Sequence, residues 1–185
     1  MGALCVLWRW MLEPDAAPAK LKANFGLTGI LNEDAATGST FKGREMKFTE
    51  PPDASMPSLR WRLHVFKDGE QLDKPLHVSR QSAFLFGKDP VVTDVLTAHP
   101  TCSRQHAVLQ YRMVEVEDAT AAGGVRRVVK PYIMDLASTN GTWLNGERVD
   151  DRRYIELRAM DTLRFGESTR EYVLLHDQLA GGGTS

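Results

Sequence analysis

Two short polar segments carry side chains that could grip an oxyanion. They are residues 102–106 (CSRQH) and residues 135–146 (DLASTNGTWLNG). Both are rich in small hydroxyl and amide groups, which together with backbone N–H groups donate hydrogen bonds to anions. Ser103 follows Pro100 and precedes the apolar run 107–109, so we expect its hydroxyl on a turn that enters a strand. These segments predict an anion-binding site built from loops.

The second segment contains two Asn-Gly dipeptides, Asn140-Gly141 and Asn145-Gly146. Asn-Gly accepts positive φ at both central positions of a turn, and the intervening Thr-Trp-Leu run at 142–144 favours a strand. The spacing therefore predicts a tight turn, a very short strand, and then a hairpin into residues 148–149. An alternative for Asn140 is that it is only a turn residue, kept for its φ.

The loops must be positioned by the β-type runs that fill the rest of the central sequence. The longest, residues 107–116 and 125–134, flank Gly123-Gly124 and are predicted to form a long hairpin. The other predicted runs are residues 61–67, 76–78, 83–86, 91–92, 95–96, 162–165 and 172–175. About ten short strands, with hardly any helical pattern, indicate an antiparallel β-sandwich.

Composition limits the classes of function. The 185 residues include 23 basic and 24 acidic side chains, for a net charge of −1, so no global field attracts nucleic acid or membrane. Any bound anion must therefore be held by local geometry. Cys5 and Cys102 are far apart in the sequence, which argues against a disulfide framework and for a reducing, intracellular compartment.

The first third of the chain is punctuated by Pro and Gly and lacks strand alternation, which indicates an extension. The apolar start of residues 1–21 is too short for a signal peptide or membrane span. We expect a disordered tail here, with a weakly helical tail or a partner-binding patch as alternatives. Within residues 22–59 the isolated apolar cluster 25–31 predicts a docking motif or a segment that folds back. The Gly-rich residues 178–185 predict a flexible tail.

Three segments resemble the signatures of forkhead-associated (FHA) domains, which are phosphothreonine readers built on an eleven-stranded β-sandwich. They are residues 86–88 (FGK), 103–106 (SRQH) and 135–142 (DLASTNGT), in the order and spacing of the family. Over residues 22–177 the sequence resembles the subfamily of the Smad nuclear-interacting protein, Dawdle and the yeast pre-mRNA leakage protein. This implies an all-β antiparallel sandwich of about eleven strands over residues 60–177, with an irregular N-terminal extension.

The resemblance implies that five residues bind the phosphopeptide. Ser103 would hydrogen-bond the phosphate, Thr139 would approach it, and Asn140 would hold the peptide backbone on either side of the phosphothreonine. Lys88 stands where the family usually has an arginine, so the charge is kept but the planar bidentate fork is lost. The neighbouring Arg104 is expected to compensate for this loss.

Four more residues are expected to support the site. Gly87 would end the strand ahead of the binding loop, and His106 would brace the two loops from beneath. The other two expected supports are Gly141 and Asn145.

The resemblance also implies partners. The subfamily is nuclear and belongs to the pre-mRNA retention and splicing complex, where a segment N-terminal to the domain docks onto an RNA-recognition-motif subunit. The expected docking residues here are Asn24, Phe25, Leu27, Ile30 and Leu31. The expected function is a non-enzymatic phosphothreonine adaptor without cofactor, metal, membrane contact or direct nucleic-acid binding.

Three alternatives remain. In the first, the chain is a structural subunit with a weak or vestigial pocket, as the lysine in place of arginine suggests. In the second, Ser103 and His106 with Asp135 form a hydrolase site, although no G-x-S-x-G elbow surrounds them. In the third, His99, Cys102 and His106 bind zinc, but they lack a convincing fourth ligand, and a turn with a packed thiol is expected instead.

Overall fold

The structure, a computed structural model, describes residues 40–72, 74–120 and 123–180. The predicted tail 1–21 lies outside these ranges, as do the expected docking residues Asn24, Phe25, Leu27, Ile30 and Leu31. The described chain forms fourteen strands and one four-residue helix. Within these ranges no helix has the length and apolar character needed to cross a membrane.

The strands are short, apart from four that have seven or more residues. They are β1 (Thr40–Phe41), β2 (Arg44–Glu45), β3 (Trp61–Lys67), β4 (Glu70–Gln71), β5 (Leu76–His77), β6 (Ala83–Gly87), β7 (Val95–Leu96), β8 (Ala107–Glu117), β9 (Val125–Asp135), β10 (Thr142–Leu144), β11 (Glu147–Arg148), β12 (Ile155–Glu156), β13 (Thr162–Phe165) and β14 (Arg170–His176). The helix α1 spans Asp177–Ala180.

Two sheets make up the sandwich. One has seven strands in the order β11-β10-β13-β14-β3-β4, with β5 also paired to β3, and the other has five in the order β12-β9-β8-β6-β7. All pairings are antiparallel except that of β6 with β7. A separate two-stranded sheet joins β1 to β2. The antiparallel β-sandwich expected from the sequence is confirmed.

The core lies between the two sheets. Period-2 alternation in β3 buries Trp61, Leu63 and Val65 on one face. They share one apolar cluster with residues of the opposite sheet, among them Phe86 and Leu109. Burial of these apolar side chains holds the strands in place, and it therefore positions the loops that follow the strand ends.

The predicted long hairpin is present. Strands β8 and β9 pair over eleven residues, from Ala107 opposite Asp135 to Glu117 opposite Val125. The first five residues of β8 are buried, whereas the outer six alternate between exposed and partly buried. The hairpin therefore contributes its inner half to the core and extends beyond it.

Residues 91–92, expected to be a β-type run, instead form a turn. The carboxylate of Asp89 accepts the backbone N–H of Val91 at 3.1 Å, and the Asp89 carbonyl accepts that of Thr93 at 3.1 Å. These bonds close the chain into a turn. The apolar Val-Val pair suggests a strand, but the Asp-Pro dipeptide that precedes it favours a turn and determines the local structure.

The described part of the extension packs on the sandwich. Met46 and Phe48 contact a small apolar cluster that includes Leu85. Further along, the guanidinium of Arg112 pairs with Asp53, with Nη2 to Oδ2 at 2.8 Å and Nε to Oδ1 at 3.1 Å. Residues 46–53 are thus attached to the outer side of the five-stranded sheet by apolar contacts and an ion pair.

Candidate functional site

The two polar loops predicted from the sequence are in contact. We call residues 99–106 the Ser103 loop and residues 136–141 the Asn140 loop. The backbone N–H of Thr139 donates to Ser103 Oγ at 3.2 Å, and Asn140 Nδ2 donates to the carbonyl of Thr101 at 2.8 Å. Thr139 is exposed, and Ser103 and Asn140 are partly exposed. The two loops therefore present their polar side chains on one shared surface.

His106 joins the two loops from the inside. Its Nδ1 accepts the backbone N–H of Ser103 at 3.1 Å, and its Nε2 donates to the carbonyl of Gly141 at 3.0 Å. The ring is completely buried, and this burial lowers the pKa of His106, although the Gly141 carbonyl and the charge of Asp135 at 3.9 Å oppose the shift. A neutral imidazole thus braces the loops, and both ring nitrogens are engaged.

The carboxylate of Asp135 organises the Asn140 loop. It accepts the backbone N–H of Ser138 at 2.8 Å and the Ser138 hydroxyl at 2.7 Å, and it accepts the Thr142 hydroxyl at 2.6 Å. It is only 2% exposed, so these donors compensate for its lost hydration. From the sequence alone, Asp135 is assigned a role only in the hydrolase alternative. The sequence signal for this role is the Asp-x-x-Ser pattern, in which an aspartate side chain accepts hydrogen bonds from the turn that follows it.

Thr101 is a second organising residue, and the sequence analysis gave it no role. Its hydroxyl accepts the backbone N–H of Glu167 at 3.0 Å and lies 2.7 Å from His99 Nδ1, while its carbonyl holds Asn140. Gly166, with φ of +58°, passes so close that an added Cβ would lie 2.9 Å from the Thr101 hydroxyl. The Ser103 loop is therefore held against the β13–β14 turn as well as against the Asn140 loop.

Gly87 lies where β6 meets the Ser103 loop. A Cβ at this position would overlap the carbonyl oxygen of Arg104, so only glycine allows the close approach. The backbone N–H of Lys88 donates to Ser103 O at 3.1 Å, and that of Asp89 donates to Arg104 O at 3.2 Å. These bonds fix the end of β6 to the Ser103 loop.

Both cations of the site are exposed. The Lys88 ammonium donates to the carbonyl of Pro100 at 3.2 Å, which directs it toward the Ser103 loop. The Arg104 guanidinium forms no ion pair with any described residue. The two loops thus have positive charge beside them that no described acidic side chain neutralises.

Asn145, expected to support the site, lies in a different contact network. It and Gly146 form the turn between β10 and β11, with φ of 52° and 88°. Asn145 Nδ2 donates to Asp161 Oδ1 at 2.8 Å, and its Oδ1 accepts the backbone N–H of Thr162 at 2.9 Å. These bonds tie the hairpin to the start of β13 and do not reach the two loops.

Comparison with known proteins identifies the fold family. Residues 84–166 match the family model of the FHA domain. The chain is 49% identical over 168 residues to the FHA domain-containing protein DDL of Arabidopsis thaliana, covering 91% of this chain and 52% of that protein. It is 50% identical over 160 residues to Smad nuclear-interacting protein 1 of Mus musculus, covering 86% of this chain and 40% of that protein.

A solved structure of the yeast Pml1 splicing factor, reported with its integration into the RES complex, also matches. Its TM-score is 0.57 at 28% identity, and the match covers 71% of this chain and 97% of that one. The chain spans about half the length of the first curated relative and less of the second. The sequence, the β-sandwich and the family match together show that the chain is an FHA domain-containing protein.

Proposed function

We propose that this chain is a non-enzymatic adaptor that binds phosphothreonine-containing peptides within a nuclear pre-mRNA retention and splicing complex. The observation that carries the proposal is the pair of hydrogen bonds between the two loops, which holds Ser103, Thr139 and Asn140 in one surface cluster. Lys88 and Arg104 lie on the rim of this cluster.

The cluster has the donors that a phosphate needs. A phosphothreonine brings about −1.5 to −2 charges and three acceptor oxygens. Because Ser103 Oγ accepts from Thr139, its own proton is free to point outward to a phosphate oxygen. Lys88 and Arg104 supply charge. Each charge-assisted bond contributes about 1.5–3 kcal/mol and peptide ordering offsets part of this, so we expect a Kd on the order of 1 μM.

Asn140 is suited to hold the peptide backbone. One amide N–H is used to bind Thr101, which fixes the side-chain plane. The amide oxygen and the second N–H can then accept from and donate to an extended peptide on either side of its phosphorylated residue. Selectivity for threonine over serine requires an apolar niche for one methyl group, worth about 1–3 kcal/mol.

The contacts of His106 argue against hydrolysis. A nucleophilic serine needs a base within hydrogen-bond reach of its hydroxyl. Here the backbone N–H of Ser103, not its hydroxyl, contacts the imidazole, and the other ring nitrogen is bonded to Gly141. Ser103 is thus arranged as a ligand-binding hydroxyl.

The cellular setting is proposed by analogy. The matched relatives include a protein named for interaction with Smad in the nucleus and a splicing factor of the RES complex. By the same analogy, residues 22–59 form the docking extension and residues 60–177 form the reader domain. Asn24, Phe25, Leu27, Ile30 and Leu31 would dock onto an RNA-recognition-motif subunit.

The reader function is tested by titrating the full chain with a peptide library in phosphorylated and unphosphorylated forms. We expect binding only to phosphothreonine peptides, and a loss of at least tenfold in Ser103→Ala. Thr120→Ala is a matched control, since the Thr120 hydroxyl bonds to Asp118 near the hairpin tip, and its loss should not affect affinity. Equal binding of both peptide forms would overturn the proposal.

The second candidate is a structural subunit with a vestigial pocket. It is favoured by Lys88, whose ammonium is already bonded to a carbonyl and has no bidentate fork. Under the reader function, Lys88→Arg should tighten phosphopeptide binding several-fold and reduce its sensitivity to salt. If neither form binds while deletion of residues 22–31 abolishes assembly with the RNA-recognition-motif subunit, the structural role is the correct one.

A further inference from the structure

A second group of cations lies in a cleft away from the two loops. The cleft has a volume of about 400 Å³. We call it the arginine cleft, and its polar lining consists of Ser58, Arg60, Arg62, His77, Ser79 and Arg80. None of the described side chains that line it is acidic. On a chain with a net charge of −1, this is a local concentration of positive charge.

The cleft and the loops lie at opposite ends of the sandwich. Arg62 is near the start of β3, where Trp61 pairs with His176 at the end of β14. The other end of β14 follows Glu167, which contacts the Ser103 loop. Since β3 and β14 each have seven residues, the two places are roughly 20 Å apart. One phosphate cannot contact both.

The arginines of the cleft lack partners. Within the described residues, Arg60, Arg62 and Arg80 form no ion pair, and Arg62 Nε is buried without a hydrogen-bond acceptor. Arg112, another partly buried arginine, is by contrast fully paired with Asp53. A buried donor without a partner is destabilising, and more so when it is charged. An anion in the cleft would supply the missing acceptor.

The pairing of β3 with β5 places a titratable side chain beside the arginines of the cleft. Arg62 lies directly opposite His77 in the β3–β5 pair, so a proton on His77 would place like charges at facing positions, which destabilises a sheet. Burial, followed by the charges of Arg62 and Arg80, lowers the pKa of His77. The charges of Arg62 and Arg80 therefore add to burial in disfavouring a proton on His77.

We propose that the arginine cleft is a second anion-binding site, and that it binds a phosphorylated side chain of a partner peptide. Guanidinium groups match phosphate oxygens in pairs, and Ser58 and Ser79 offer hydroxyl donors beside them. No Phe, Tyr or Trp lines the cleft, whereas single-stranded RNA binding relies on such rings for base stacking. A compact cleft of this kind suits one dianion better than a continuous phosphate backbone.

The test uses the full chain carrying Ser103→Ala and Asn140→Ala, which silence the loops. A short phosphoserine peptide is titrated while the Arg62 Nε–Hε signal is followed by NMR, with the unphosphorylated peptide and sodium chloride of equal ionic strength as controls. We expect a saturable shift with the phosphopeptide alone. Affinities of the variants are measured by isothermal titration, since Arg62→Gln lacks the NMR signal itself. Arg80→Gln and Arg62→Gln should each weaken binding at least tenfold, whereas Arg158→Gln, which removes an exposed charge elsewhere, should not.

Three results would overturn the proposal. The first is an Arg62 signal that does not shift, and the second is an affinity that is the same in Arg80→Gln as in Arg158→Gln. The third is a single-stranded RNA that binds the cleft more tightly than the phosphopeptide does. Because the Arg80 side chain is exposed, Arg80→Gln is expected to fold even if Arg62→Gln does not. A negative result would not bear on the proposed function of the Ser103 and Asn140 loops, since both loops are mutated in every sample.

Discussion

The two Asn-Gly dipeptides lie five residues apart and differ in structure and partners. At Asn145-Gly146 both residues have positive φ, and the asparagine side chain bonds to Asp161 and Thr162 in the adjacent strand region. At Asn140-Gly141 only the glycine has positive φ, at 75°. There the asparagine side chain crosses to Thr101, 39 residues earlier in the sequence.

This difference shows what a turn dipeptide does and does not predict. The sequence pattern indicates where the backbone reverses, because that depends on local φ preferences. The destination of the asparagine side chain depends on which loop lies next to the turn. Asn145 therefore stabilises the fold, whereas Asn140 is positioned by the fold and keeps part of its amide at the surface.

Asn140→Ala should have the largest effect, and on binding. We expect phosphopeptide affinity to fall about 30-fold, or ~2 kcal/mol, because the backbone clamp is lost. The free energy of unfolding should change by less than about 1 kcal/mol, since one partly exposed hydrogen bond is removed. Isothermal titration and urea unfolding measure the two quantities. Unchanged affinity would remove the functional contrast between the dipeptides.

Asn145→Ala should show the opposite pattern. We expect the free energy of unfolding to fall by about 1.5 kcal/mol, since two side-chain hydrogen bonds are lost and alanine disfavours a φ of 52°. Phosphopeptide affinity of the folded protein should stay within twofold. Asn145→Gly, which accepts the same φ, is the matched control and should be destabilised less. A loss of affinity in Asn145→Ala would link this hairpin to the binding surface.

Gly141→Ala and Gly146→Ala compare the second residues of the two dipeptides. Each places a side chain at positive φ, which costs about 1 kcal/mol. At Gly146 the new Cβ meets open space, whereas at Gly141 it would lie 2.5 Å from Arg148 Nε. Gly141→Ala should therefore be slightly the more destabilising by urea unfolding, since the exposed Arg148 side chain can move aside at small cost, and adding Arg148→Ala should remove the excess. An equal loss in both single variants would contradict this.

Acid should weaken the Asn140 loop and spare the Asn145 hairpin. Burial lowers the pKa of His106 in the folded state, opposed by Gly141 and Asp135 and assisted by the charge of Lys47. The unfolded chain then binds more protons below about pH 6.5, so stability is complete above that pH and falls as the pH decreases. One such histidine accounts for at most about 1 kcal/mol between pH 6.5 and 5.5.

Urea unfolding at the two pH values measures this loss, and amide exchange locates it. The protection factor, which corrects for the slower intrinsic exchange in acid, should fall at pH 5.5 for the Ser103 amide, because it donates to His106 Nδ1. The Asn145 amide, bonded to the Thr162 carbonyl, should keep its protection. His77→Gln is the control, because His77 is the other described histidine with a lowered pKa, and the change in Ser103 protection should persist in this variant. An imidazole of His106 that titrates near pH 6.5 in the folded protein would contradict the expectation.

Features that depend on neighbours in the sequence could be predicted from it. Alternation predicted the pairing of β8 with β9, and the Asn145-Gly146 spacing predicted the hairpin between β10 and β11. Family resemblance pointed to the Ser103 and Asn140 loops, whose proximity the structure shows directly.

Features that depend on distant contacts could not. Thr101 joins residues 39 and 66 positions away, and nothing in its local pattern marks it as a junction. Met46 and Phe48 lie among breakers without strand alternation, so their packing against Leu85 follows only from the assembled sheet. The unpaired state of Arg62 likewise depends on the absence of acidic groups from the two segments of chain, residues 57–62 and 77–80, that line the cleft.

The long β8–β9 hairpin gives experimenters a point of attachment. Strand β8 begins beside His106 and runs away from the polar loops for eleven residues, about 35 Å, with no buried residue in its outer half. Surface tips of this kind accept inserted sequence readily. A fluorophore or an immobilisation tag placed between Gly123 and Gly124 would keep the Ser103 and Asn140 loops facing solution, so that ligand capture can be followed on a sensor surface without blocking it.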